Sequence, residues 1–342
     1  MKERTGKVNT GLLAGLVIAA AVIVAIISII GLDATGKKGS GLSEEFTYDI
    51  EDLGKIDPAL IKYHQVGDEI PTGFVQSQAI DVDSKGFIYA AGDDSIRLFE
   101  NSGSLKQQIE LDQAPYCLTV NNDRIYIGFK DHIEIYNSQG ERLAAWQSLG
   151  DSARLTSIAA TKKNVFAADA GNRRVVRYDH EGNIINYIGR KDKDRNIPGF
   201  VIPSPYFDLA VAKDGLLRVV NPGKHRIEAY TFDGDLEFWW GKPSSKVQGF
   251  CGCCNPINFA ILPDESFVTC EKGLVRVKIY NAEGIFKSVV AGPEQLVKGQ
   301  SVCPCNTPSS CQKGGFDVAV SNDGKVFVLD TIKNTVKIFG KN

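Results

Sequence analysis

AIDVDSKGFIYAAGDDSIRLFENSGSLKQQIEL, from Ala79 to Leu111, reads as four short strands joined by tight turns. AIDV is the first strand. DSKG turns the chain, with Gly86 free to take the positive φ of a tight hairpin. FIYAAG supplies an aromatic and β-branched strand, and DDS turns again. SIRLFE alternates apolar and polar residues, as a strand with two unequal faces does. NSGS makes the third turn, and LKQQIEL closes the unit. No helical period appears. One such sheet cannot bury both its faces, so the unit demands neighbours.

The chain supplies them. Related units begin at Leu118, Ser157, Asp208, Phe259 and Asp317. A third-strand aromatic marks the register in each: Phe99, Tyr136, Tyr178, Tyr230, Tyr280 and Phe339. The spacing between these aromatics is 37, 42, 52, 50 and 59 residues, longer in the C-terminal half. A constant unit with growing insertions is the pattern of a radial array with decorated loops. The last unit stops after its third strand. IKYHQVGDEI, from Ile61 to Ile70, is an orphan extended segment ahead of the first unit. The two remainders predict a closure in which the N-terminal segment pairs with Thr335–Phe339 and completes the sixth blade, leaving no open sheet edge.

The units DxxGxIYxxxxxxxIxxFxxxG resemble NHL repeats, and the chain from about Ile61 onward resembles a six-bladed NHL-type β-propeller. The stretch GFCGCCNPINFAILPDESFVTCEKGLVRVKIY, from Gly249, resembles a cysteine-bearing subgroup of membrane-anchored bacterial propellers. The resemblance implies an all-β scaffold with a binding surface, only occasionally an enzyme.

The expected organisation is a cytoplasmic segment 1–10, a transmembrane signal anchor 11–31, a flexible linker 32–57 and a propeller 58–342. Gly11–Ile30 is a twenty-residue run without charge, long enough as a helix to cross a bilayer about 30 Å thick. It exceeds the apolar core of a cleaved signal peptide and ends without a clear cleavage site. Lys2, Arg4 and Lys7 precede it, while Lys37 and Lys38 follow. The bias favours a cytoplasmic N-terminus and an extracytoplasmic body, in the periplasm or at the cell surface. Net charge is −2, which argues against a nucleic-acid partner. No phosphate loop, nucleotide motif or Ser-His-Asp order is present.

In a four-stranded meander the second-to-third turns and the links between blades share one end, here termed the top. The long links 191–207, 242–258 and 293–316 therefore share the top face. So do the cysteines: Cys251, Cys253 and Cys254 in the second link, Cys303, Cys305 and Cys311 in the third, Cys270 at the end of a strand between them, and Cys117 at the start of blade two. Disulfides stapling the two links are the first expectation, as suits an exported protein. A thiolate site, an iron–sulfur cluster or another metal, is the second. Adjacent Cys253 and Cys254 have Cα atoms about 3.8 Å apart, below ordinary disulfide geometry. Bonds are therefore expected between the 251–254 segment and either Cys270 or the 303–311 segment. The links carry little apolar content, so a crosslink is expected to hold them.

The first-strand starts rim the channel mouth: Ala79, Cys117, Ser157, Asp208, Asn258 and Asp317. Asp208, Asn258 and Asp317 are candidates for a hard cation or a polar ligand, with strand capping as the alternative. Arg173, Lys224 and Lys272 add positive charge to the top turns. His132 and His225 lie in top turns and are candidate metal ligands together with Asp208 or Asp317. Trp239 and Trp240 either pack beneath the cysteine link or form a docking patch. The leading functional expectation is a membrane-anchored module that binds a protein partner, or senses, through its top face. A redox or metal-carrying protein is the alternative, and a channel-mouth metal-dependent lyase or hydrolase the weaker one.

Overall fold

The computed structural model describes residues 10–31, 54–297 and 315–342. The chain divides into two units, 1–49 and 50–342. Among the described residues of the first, a helix, α1, runs Thr10–Gly31. The second unit is a six-bladed β-propeller.

Blades one to five are four-stranded antiparallel meanders, each formed by consecutive strands. Blade one, for instance, runs Ser77–Val82, Ile88–Gly92, Ser95–Phe99 and Leu105–Glu110. Gly86 takes φ +86° in its first turn, as the hairpin requires. The repeat register holds throughout, since all six third-strand aromatics are buried. They pack between neighbouring sheets, which is how each blade covers the face that its neighbour leaves open.

Blade six is built from both ends of the unit. Phe316–Val320, Val326–Asp330 and Thr335–Lys341 form its first three strands. Tyr63 pairs with Lys341, His64 with Gly340 and Gln65 with Phe339. Further along, Ile70 pairs with Val336 and Pro71 with Thr335. The expected closure is thus formed. It is a two-part strand, Tyr63–Gln65 and Ile70–Pro71, rather than one continuous one. Asp57 caps the short 3-10 turn Pro58–Leu60 that leads into it, accepting from the Ala59 amide at 2.9 Å.

Candidate functional site

The six innermost strands surround a central channel of about 470 Å³. Its wall is polar because first-strand side chains reach sideways to the next blade, where they hydrogen-bond backbone. Asp317 Oδ2 in blade six accepts from the Ile80 amide in blade one at 2.9 Å. Asp81 Oδ2 in blade one accepts from the Val120 amide at 2.8 Å and the Thr119 hydroxyl at 3.0 Å in blade two. Asn121 donates to the Ala160 carbonyl of blade three at 2.5 Å. Thr156 donates to the Phe207 carbonyl, which leads into blade four, at 2.6 Å. Asp208 Oδ2 accepts from the Phe259 amide of blade five at 2.8 Å. Asn258 donates to the Phe316 carbonyl of blade six at 2.9 Å. The result is a complete ring of side-chain clamps, one per blade junction.

This ring explains the mouth residues read from sequence. Asp208, Asn258 and Asp317 are brought together around one channel, and each is engaged in a clamp. Asp208 and Asp317 also accept from the amides of Leu209 and Val318, so both oxygens of each carboxylate are used. Asp81 was not among the expected site residues. Its signal was present: it lies two residues after Ala79 on the same strand, so it faces the same way.

Burial pushes the Asp317 carboxyl up to about 8, with Asp208 adding to the rise. Burial pushes Asp208 up to about 6 against its hydrogen bonds. The unfolded value is about 3.9. A folded carboxyl raised in this way keeps its proton where the unfolded chain has already lost it. Its contribution to stability is therefore full below about pH 4 and is lost as pH rises through 6 and then 8. The melting temperature should fall between pH 6 and 8.5, and Asp317→Asn should flatten that fall. Calorimetry across this range checks it; an unchanged slope in the variant removes Asp317 as the cause.

The cysteine link of blade five is not bonded to Cys270 and is held by other contacts among the described residues. Cys270 is a free, buried thiol packed among Val268, Val277 and Phe316, so no bond ties it to the 251–254 segment. Cys117, Cys253 and Cys254 are free thiols as well. Cys303, Cys305 and Cys311 lie outside the described residues, and with them the expected link to the 303–311 segment. The apolar content of the link was underestimated. Phe250 is buried against Trp240 and Tyr280. Cationic side chains from blade five hold its carbonyls: Lys278 Nζ donates to Gly249 at 2.6 Å and Val247 at 3.2 Å, and Arg276 to Ser245 at 3.3 Å. Both cations pair with fully buried Glu271, which also accepts from the Cys251 amide at 2.7 Å. Trp240 therefore packs beneath the link, while Trp239 stays half exposed with Arg226 over its ring.

Within the link, Cys253 Sγ lies 3.3 Å from Cys254 Sγ. Cys253 is exposed and Cys254 buried. Ser204 donates to the Cys254 sulfur at 3.4 Å, and Lys272 Nζ lies 2.8 Å from Ser204 Oγ. Burial alone would raise the Cys254 thiol, but Ser204, Cys253 and Lys272 outweigh it and bring it below its ordinary value. The bond to Cys254 and burial push Cys253 up. Burial and the carboxylates of Asp317 and Asp208 hold the Cys117 and Cys270 thiols well above their ordinary range.

Of the basic residues expected to bind, Arg173 alone is exposed. Lys224 donates to the Gly199 carbonyl at 3.1 Å, and burial lowers its pKa. Lys272 is buried at 5 % exposure. Both anchor links, Lys224 through the Gly199 carbonyl and Lys272 through Ser204. The two histidines are likewise engaged: His132 with Asp131 at 2.9 Å, and His225 with the Gly252 carbonyl at 2.7 Å. Among the described residues no three metal-ligating groups converge.

The fold and this channel define a six-bladed propeller. Among solved structures the chain is similar to a streptogramin B lyase, with TM-score 0.55 and 13% identity over 84% of this chain and 100% of that one. It is also similar to a virginiamycin B lyase from Staphylococcus aureus, with TM-score 0.54 and 12% identity over 82% and 99%. The WD40 propeller domain of Doa1 aligns with TM-score 0.52 and 15% identity over 78% and 79%. At these identities the likeness is one of fold. No family model and no curated protein matches the chain.

Proposed function

We propose that this protein is a membrane-anchored propeller whose top face binds a protein partner outside the cytoplasm, as a docking or sensing module. The observation that carries the reading is the clamp ring. The channel carboxylates that would serve an acid–base enzyme are committed to backbone amides of the next blade. That favours a rigid scaffold presenting a surface over a hydrolytic or lyase centre.

The membrane part rests on α1. Its described side chains Leu16, Val17, Ile18, Val22, Ile23 and Val24 are all more than half exposed. Apolar side chains so exposed on one helix call for an apolar surrounding. Among the described residues no helix is long and apolar enough to cross a membrane.

Two measurements test the proposal. The full chain should stay in the membrane fraction after a high-pH wash, and a C-terminal reporter should work only if exported. A reporter active solely in the cytoplasm overturns the topology. A photo-crosslinking residue at Arg173, in a top turn, should trap a partner in native membranes, whereas one at Lys85, in a turn at the opposite end, should not. Equal yields at both positions overturn the top-face reading.

A second reading, a thiol-based redox or metal carrier, is favoured by one observation, the 3.3 Å approach of the Cys253 and Cys254 sulfurs. Metal and sulfide analysis of protein purified without oxygen tests its iron–sulfur form.

A further inference from the structure

The Cys253–Cys254 pair sits in a link whose backbone is fastened next to it. Asn255 donates to the Cys251 carbonyl at 2.6 Å and to the Lys272 carbonyl at 3.0 Å, while its own oxygen accepts from the Lys272 amide at 2.9 Å. The link is thereby fastened to the top turn of blade five on both sides of the pair. Closing the pair into a disulfide is unfavourable, because neighbouring Cα atoms about 3.8 Å apart lie below the usual range. The sulfurs rest 3.3 Å apart, one facing solvent and one buried. Beside the buried one lies the Lys272 ammonium. Among the described residues it contacts Ser204 at 2.8 Å, the Tyr206 ring at 4.7 Å and the Cys254 sulfur, and no carboxylate pairs with it.

We propose that Cys253 and Cys254 form a two-sulfur chelating site for a neutral, trivalent, thiophilic metalloid oxyacid, with arsenite, As(OH)3, as the type. Three features of the site select this class. The first is the bite. Two bonds of about 2.3 Å, a typical length to thiolate sulfur, from sulfurs at this separation meet at about 92°. That is near the right angle of a pyramidal trivalent centre and below the angle of a tetrahedral one. The second is ligand number. Structural zinc takes four protein ligands. A trivalent oxyacid needs only two sulfurs and keeps its third oxygen. The third is charge. A buried ammonium opposes a divalent cation but leaves a neutral oxyacid unaffected, and it can donate a hydrogen bond to the retained hydroxyl. Soft sulfur ligands favour a soft acceptor over hard oxygen-seeking ions.

The capture step balances without redox change. Two As–S bonds form and two As–O bonds break. Each departing hydroxide leaves with one thiol proton, so two waters are released. Arsenic stays trivalent and keeps one hydroxyl. The inference is independent of the membrane anchor and of the partner.

The test uses the full chain with arsenite as the probe. Reduced protein is titrated with arsenite, and unprotected thiols are then alkylated and mapped peptide by peptide. Cys253 and Cys254 should be protected together at one arsenic per chain. Cys253→Ser, an exposed position whose change leaves the core untouched, should weaken capture about 100-fold, because a chelate becomes a single attachment. Zinc in excess should not displace the arsenic. The proposal is overturned if the pair is alkylated equally with and without arsenite, if Cys253→Ser binds as tightly as the parent, or if excess zinc releases the arsenic from the protein. It is overturned as well if the purified pair already forms a disulfide.

Discussion

Deleting residues 1–71 should open the ring and lower the melting temperature by more than about 10 °C, or leave a chain that aggregates. The fourth strand of blade six comes from this segment alone. Tyr63 and Ile70 are buried at 7 % and 4 % exposure, in the cores that blade six shares with blades five and one. Burying a side chain of this size contributes roughly 1.5–3 kcal/mol. The segment also closes ladder bonds, Val66 to the Ile338 carbonyl at 2.8 Å and Asn342 to the Lys62 carbonyl at 3.0 Å. Each contributes about 1 kcal/mol net. Without the segment, Thr335–Lys341 becomes a bare edge beside an exposed apolar face. Removing 1–53 keeps every one of these contacts and should leave the transition nearly unchanged. A monomeric 72–342 chain melting within about 3 °C of the parent would show that the ring does not depend on its closure.

The second large effect is expected at Glu271. Its carboxylate is fully buried and holds Arg276 at 2.6 Å and Lys278 at 2.9 Å, both also buried. Burial already pushes the Lys278 ammonium down to about 8, against the pull of Glu271. Glu271→Ala leaves two cations in the core without a counter-charge, which costs about 3–5 kcal/mol. The melting temperature should fall by about 10 °C. Hydrogen exchange should rise first at 245–251, because the cations that hold those carbonyls lose their own anchor. The combined change Glu271→Leu, Arg276→Met and Lys278→Met should cost less than Glu271→Ala alone, since no buried charge remains. If Glu271→Ala melts like the parent, the triad is not what holds the cysteine link.

Much of the architecture was legible because it is written in local, repeated signals. Turn glycines, period-two alternation and one aromatic per unit recur six times. The orphan strand and the truncated last unit point to each other because a bare sheet edge is unfavourable. The clamp ring was only half legible. Its carboxylates and amides stood at equivalent positions, but their occupation by the next blade depends on an angle between sheets that no local pattern encodes. Asp81 was passed over because it lies one pleat deeper than the other rim residues.

By itself the sequence determined the number of blades, their register, the closure by the two termini and the clustering of polar residues at the channel. These follow from short-range sterics and from alternation, which act within a few residues. Only the tertiary structure decided the fate of the long-range pairs. It committed Asp208 and Asp317 to backbone amides, and left Cys270 a free thiol in the core. It turned Lys272 from a surface charge into a buried neighbour of Cys254, and held the blade-five link by Phe250, Arg276 and Lys278 rather than by a disulfide to Cys270. Each outcome depends on which groups from distant segments are desolvated together, and burial, unlike turn chemistry, is a property of the assembled fold.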